Sequence, residues 1–344
     1  MFTYPLLICD VGGTHARFAV CRERGEPLSP ALRLNTAQFS DFTQAARHVI
    51  ETLDVRPQAM IVCAAGPLEG RTIQLTNASW RLDGPELADR LGLEQGLLLN
   101  DFEALALTLP ALDAGDLVGI CGSPNDPAGN AAAERGAPRL AIGPGTGLGV
   151  AALIATGRRY LPLASEASHM DFAPLGEEEA RIFALVARDC GRVSAETLLC
   201  GPGLLRLHMA HLASAGASAQ ALASARNLDA PALVTLARAT RHGPEAQSVL
   251  LFWRLLARFC GDMALAFMAR GGVVLCGNVV RQIAPLLDAQ AFAAAFTAKS
   301  PMHALAASIP VSLLQREDAV LHGIAALAEN PALYAIDYAQ REWR

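Results

Sequence analysis

Two short segments combine glycine with a hydroxyl side chain: Asp10-Val11-Gly12-Gly13-Thr14 and Gly145-Thr146-Gly147. Glycine lets a backbone approach an anion closely and aim successive N–H groups at it, and threonine adds a hydroxyl donor. Two such turns facing each other could hold a polyphosphate. Asp10 could hold a metal ion beside the first turn, directly or through water. Taken singly, either segment reads equally well as a tight turn in an ordinary hairpin. Asn100-Asp101 pairs an amide with a carboxylate that could accept a proton from an attacking hydroxyl, or cap the helix that follows. Glu166-x-x-His169 and Glu196 add carboxylate and imidazole groups that match a ring of hydroxyls, as a sugar presents. Glu196 also reads as a first-turn helix acid after Ser194, and His169 as a core histidine.

Composition narrows the chemistry. Of 344 residues, 28 are Lys or Arg and 33 Asp or Glu, for a net charge of -5, and Lys299 is the only lysine. A P-loop lysine and a protein-kinase lysine are both excluded. Phosphate would have to be met by backbone N–H groups, hydroxyls, arginine or a metal. The arginines are dispersed, which argues against a nucleic-acid surface. The eight cysteines stand at least ten residues apart, so no zinc knuckle is expected. No basic, apolar leader opens the chain, and the apolar stretch Val249–Met268 is broken by Arg254, Arg258 and Asp262. A reduced, cytoplasmic protein that does not span a membrane is expected. His208-x-x-His211 has metal-like spacing but no carboxylate nearby, and is expected on a solvated helix face. Ser168 stands in no nucleophile elbow.

The elements that must position these residues follow from apolar patterning. Leu6–Cys9 and Arg17–Val20 read as strands around the first glycine turn. Asp41–Leu53 and Phe102–Leu109 read as helices, and Ala59–Ala65 and Leu97–Leu99 as buried strands. Gly122–Pro138 has the composition of an exposed loop. The pattern then recurs: strand Arg139–Ile142, glycine turn Gly143–Gly147, strand Leu148–Ile154. Later come a helix opening near Glu177–Glu179, a long helix Ala246–Arg270, and the strand Val273–Cys276 followed by Gly277-Asn278. Two strand–turn–strand units about 130 residues apart predict an internal duplication and two α/β lobes with a ligand in their cleft.

In order and spacing these segments resemble the bacterial glucokinase family of the actin/hexokinase-type ATPase superfamily, from about Pro5 to about Glu329. Asp10–Thr14 and Gly143–Val150 resemble its two phosphate motifs, and Thr76-Asn77-Ala78-Ser79-Trp80 its segment bordering the sugar. Leu99–Phe102 resembles the catalytic segment, and His169–Pro174 and Val193–Glu196 the sugar-binding ones, while Ser194–Leu204 as a whole is very like the family. The cysteine-rich zinc motif of the related repressor/sugar-kinase branch is missing.

The resemblance implies a two-lobed actin/hexokinase-like (ribonuclease H-like) duplicated α/β fold with an inter-lobe cleft. Residues 1–112 with about 315–344 would form the small lobe, and 113–314 the large one. It implies transfer of the ATP γ-phosphoryl group to the 6-hydroxyl of glucose, with another hexose or a silent sugar-binding regulator as alternatives. Asp101 would be the general base. Asn77, Asn100, Glu166, His169 and Glu196 would hold the sugar. Asp10, Val11, Gly12, Gly13, Thr14, Gly145, Thr146, Gly147, Gly277 and Asn278 would bind ATP. Asp10 would orient Mg²⁺ through water, and a homodimer is the family expectation.

Several positions depart from the family pattern. His15 stands where Asn is usual, with a charge near the phosphates that would vary with pH. Ala167-Ser168 replaces Gly-Gly, adding side chains expected to narrow or reshape the sugar pocket. Asn278 replaces a glycine, where its tolerance of left-handed angles would preserve the turn.

Overall fold

Leu6–Val11, Ala59–Ala64 and Gln95–Asn100 lie side by side as parallel strands. Their nearly unbroken apolar runs follow from burial on both faces. On one face Leu7, Cys9, Met60, Val62 and Leu98 pack with Phe42, Ala46 and Val49 of the helix Phe42–Thr52 and with Leu87 of the helix Gly84–Leu91. On the other, Leu6, Ile8, Ile61, Leu97 and Leu99 meet Ala104 and Leu107 of the helix Asp101–Thr108 and Leu321 and Ile324 of the helix Ala319–Glu329. Alternation along each strand thus divides its side chains between two cores.

The computed structural model describes residues 1–75, 78–122 and 136–344. Two units divide the chain: Met1–Leu112, Leu153–Ala164 and Arg316–Arg344 form one, and Asp113–Ala152 and Ser165–Gln315 the other. The sheet of the first unit runs Glu342–Trp343, Gln95–Asn100, Ala59–Ala64, Leu6–Val11, His15–Cys21, Leu32–Asn35. The second six-stranded sheet runs Leu117–Cys121, Val311–Leu314, Val273–Leu275, Arg139–Pro144, Leu148–Thr156, Arg159–Ser165. The plans match strand for strand. Each has an antiparallel edge strand, two parallel strands, and then the leading strand of a strand–turn–strand. This is the duplication expected from the recurring glycine turns.

Some boundaries move. Gly143 and Pro144 remain in their strand, so the second turn begins at Gly145. The long helix spans Pro244–Ala266 and ends before Met268, which has a φ of 49°. Residues 153–164, expected with the second lobe, group with the first unit, where Ala335 donates its N–H to the Tyr160 carbonyl at 2.8 Å. Sequence distance gave no sign of that contact. Most of the expected loop Gly122–Pro138 lies outside the described residues. Among the described residues, no helix is long and apolar enough to cross a membrane.

Candidate active site

In the first unit the site residues gather at the carboxyl ends of the parallel strands, where open α/β sheets bind ligands. Cross-strand register sets Val11, Ala64 and Asn100 at one level. Asp10 and Asp101 therefore reach the same sheet edge from different strands. Antiparallel pairing places Asp10 opposite Arg17, whose Nη1 lies 3.0 Å from Asp10 Oδ2. The buried Cys63 thiol donates to Asp10 Oδ1 at 3.6 Å. Burial first, and then the Asp10 and Asp101 charges, push that thiol's pKa well up, so it stays a neutral donor.

The first turn is held from within. The Gly12 N–H donates to the His15 carbonyl at 2.9 Å, and Thr36 Oγ1 donates to the Gly13 carbonyl at 2.7 Å. Partial burial, then Arg33 and Arg17, lower the His15 pKa from its usual 6.5, so this imidazole is neutral at pH 7.

Asn100, and not Asp101, caps the helix Asp101–Thr108. Its Oδ1 accepts the N–H groups of Phe102 at 2.9 Å and Glu103 at 3.4 Å, and Glu103 returns a bond to the Asn100 N–H. Asn100 Nδ2 donates to the Gly66 carbonyl at 3.1 Å, which leaves one amide hydrogen for a ligand. Asp101 follows as the first helical residue, with Oδ1 accepting the Phe102 N–H at 3.1 Å. The cap expected of Asp101 fails because the amide one residue earlier has the extended backbone that a cap requires. Asn77 lies outside the described residues. Near it, Trp80 is buried edge-on against Phe42, with Nε1 donating to the Phe39 carbonyl.

In the second unit, residues distant in sequence come together. Met170–Phe172 and Val193–Ala195 pair across a short antiparallel bridge: the Phe172 N–H donates to the Val193 carbonyl, and the Ala195 N–H to the Met170 carbonyl. His169 and Glu196 are thereby brought side by side. His169 Nδ1 lies 3.8 Å from Glu196 Oε1, and its Nε2 lies 3.5 Å from Glu166 Oε2. His169 is exposed, so it is not the core histidine that the sequence left open. Glu196 Oε2 accepts the Leu148 N–H at 2.8 Å, immediately after the second glycine turn. Gly145 donates to the Gly147 carbonyl within that turn and accepts from the Gly201 N–H, both at 2.8 Å. A cavity of ≈ 310 Å³ is lined by Thr146, His169, Arg192, Glu196, Cys200 and Arg206, among others. Gly277, at φ 96°, crosses so close to Pro144 that a Cβ would stand 2.6 Å from the Pro144 oxygen.

Three expectations change. Ala167 and Ser168 form the turn with His169 and are both buried in it, so of the two effects expected of them, narrowing an open pocket is the one that does not hold. Asn278 has no left-handed backbone; it is the first helical residue after Gly277, which alone carries the positive φ. His208 is buried, not solvated. Ser248 Oγ donates to the Pro244 carbonyl, so it accepts from Nδ1–H of both His208 at 3.0 Å and His211 at 3.1 Å. Helical spacing placed both histidines on one face, but which face packs is a tertiary outcome.

Arg17, Gly201 and Arg206 were missed. Arg17 was legible in principle, because a hairpin about Gly12–Thr14 pairs Asp10 with Arg17. Arg206, which donates to the Thr197 carbonyl at 3.0 Å, left no such signal.

The glucokinase family profile matches residues 7–331 of this chain. A glucokinase of Rhizobium meliloti (strain 1021) is 38% identical over 347 residues, covering 100% of this chain and 97% of that relative. A crystal structure of glucokinase from an Antarctic psychrotroph is 27% identical, with a TM-score of 0.79, over 96% of this chain and 100% of that one. A ROK family glucokinase from Streptomyces griseus, crystallised with glucose and AMPPNP, is 20% identical with a TM-score of 0.59, over 94% and 98% of the two chains, and shares the fold.

Proposed function

Since this chain belongs to the glucokinase family and is a hexose kinase, we propose how its residues divide the transfer of the ATP γ-phosphoryl group to the 6-hydroxyl of glucose. Asp101 accepts the proton of the 6-hydroxyl as its oxygen attacks phosphorus. Glu166, His169 and Glu196, with Asn77 and the remaining Asn100 amide hydrogen, hold the other hydroxyls. The support for this division is the meeting of Glu166, His169 and Glu196 beside the second glycine turn, with Thr146, His169 and Glu196 on the wall of one cavity.

The amides and hydroxyls of Val11–Thr14 and Gly145–Gly147 receive the phosphates, and Gly277-Asn278 borders the adenosine. Asp10 fits Mg²⁺ held through water. Mg²⁺ commonly uses one or two protein carboxylates alongside waters and substrate phosphates, and no larger ligand cluster stands among the described residues. When bound, Mg²⁺ supplies screening of the charge on the transferring group. Arg17 holds the Asp10 carboxylate at the sheet edge, and neutral His15 adds no fixed charge beside the phosphates. The protein is further read as a cytoplasmic homodimer that acts in glycolysis and has no nucleic-acid or membrane partner.

A coupled assay of purified protein with ATP, Mg²⁺ and a panel of glucose, mannose, glucosamine and fructose tests the reading. Glucose should give the highest kcat/KM. A higher value for another hexose would move the assignment to that sugar, and no phosphorylation of any would overturn it.

A further inference from the structure

Glu196 faces two ways. One carboxylate oxygen accepts the Leu148 N–H at 2.8 Å, and the other lies 3.8 Å from His169 Nδ1. The approach to the turn is possible only because residue 147 is glycine: a Cβ there would stand 2.6 Å from Glu196 Oε2 and 3.3 Å from its Cδ. The backbone that carries the carboxylate is held in place. Glu196 belongs to the one-turn helix Ala195–Leu198, whose Ser194 and Thr197 cap one another. Arg206 holds the Thr197 carbonyl, and the Cys200 thiol donates to the Glu196 carbonyl at 3.1 Å. Gly201 then grips the other end of the glycine turn through the Gly145 carbonyl. The segment carrying the hydroxyl-facing carboxylate and the phosphate-facing turn are therefore joined at two points.

We propose that Glu196 is a positioning residue for the nucleotide turn as well as a sugar contact, and that hexose and nucleotide affinities are coupled through this one carboxylate. The inference rests on the assignment of Glu196 to the sugar and of Gly145–Gly147 to the phosphates. A sugar hydroxyl bound to Oε1 fixes the carboxylate. Oε2 then holds the Leu148 N–H, and the turn is set for phosphate before ATP arrives. Conversely, a change confined to the turn must reach the sugar.

The test is calorimetric titration with glucose and with AMPPNP, each alone and in the presence of the other. Gly147→Ala displaces the carboxylate while adding one methyl to the turn. Because a charge-assisted hydrogen bond is disturbed, glucose affinity measured without nucleotide should fall about ten-fold or more. Glu196→Gln keeps an oxygen for the Leu148 N–H, and Glu196→Ala does not. Without sugar, the Gln variant should bind AMPPNP within about two-fold of the parent, and the Ala variant about ten-fold more weakly. In the parent, glucose should tighten AMPPNP binding, and in the Ala variant this enhancement should vanish. Unchanged glucose binding in a folded Gly147→Ala protein, or equal AMPPNP affinities in the Gln and Ala variants, would overturn the coupling. Should Gly147→Ala not fold, the Gln and Ala pair decides alone. A parent that neither binds nor phosphorylates glucose would instead sink the underlying assignment.

Discussion

Replacing Asp101 by Asn separates two roles for a carboxylate at a helix start. Asn100 already caps the helix Asp101–Thr108, accepting two N–H groups and completing a capping box with Glu103. The Phe102 N–H that donates to Asp101 Oδ1 at 3.1 Å can be kept by an asparagine oxygen. What Asp101→Asn removes from the helix is one negative charge in its first turn, about 0.3–1 kcal/mol. In a chain of this length that shifts the thermal midpoint by only about 0.4–1.4 °C. Loss of a general base removes about 10²–10⁴ in rate, equivalent to about 3–5 kcal/mol in the barrier. The variant should therefore show an intact melting curve and a collapsed kcat, with the glucose KM within a few-fold of the parent. Asn100→Ala is the comparison: it removes the cap and the Gly66 contact, and should cost about 1 kcal/mol or more in stability. Steady-state coupled kinetics and differential scanning calorimetry on the three proteins give the answer. A fall in kcat below ten-fold for Asp101→Asn, or a melting loss matching that of Asn100→Ala, would refute Asp101 as the base.

Three further outcomes are expected. Lys299→Arg should leave kcat within about two-fold, since Lys299 binds the Arg258 carbonyl at 3.0 Å and Asp262 at 2.6 Å and no phosphate turn. Its melting temperature should fall, because the lysine stem lies against Gly261, and a large loss of kcat would refute a lysine-free phosphate site. Gly277→Ala forces a side chain onto a φ of 96° and against the Pro144 oxygen, a strain of about 1–3 kcal/mol; the KM for ATP should rise in steady-state kinetics while that for glucose holds. Burial lowers the pKa values of His208 and His211 from 6.5, so the unfolded chain takes up protons first as pH falls. Stability present above pH 6.5 is then lost as pH drops through that value towards the lower folded ones, and thermal melts of His208→Gln should show a shallower loss between pH 7 and 5.

The local order of this protein is written in the chain. Apolar runs specify the parallel strands, glycine pairs specify the turns, and the recurrence of both announces two units of one plan, because strand and turn preferences act over a few residues. The types of the site residues are legible for the same reason: a lysine-poor chain that meets phosphate must rely on amides, hydroxyls, arginine or metal. What joins those residues was decided only in three dimensions. Leu148 and Glu196 are 48 residues apart, yet the carboxylate sits on the turn because residues 170–172 and 193–195 pair and because Gly147 leaves room. Whether His208 meets water or Ser248, and whether Asn100 or Asp101 caps, depended on which helix face packs and which residue takes the extended backbone angle. Such choices are made by burial and close approach between distant segments, for which residue type and spacing carry no term.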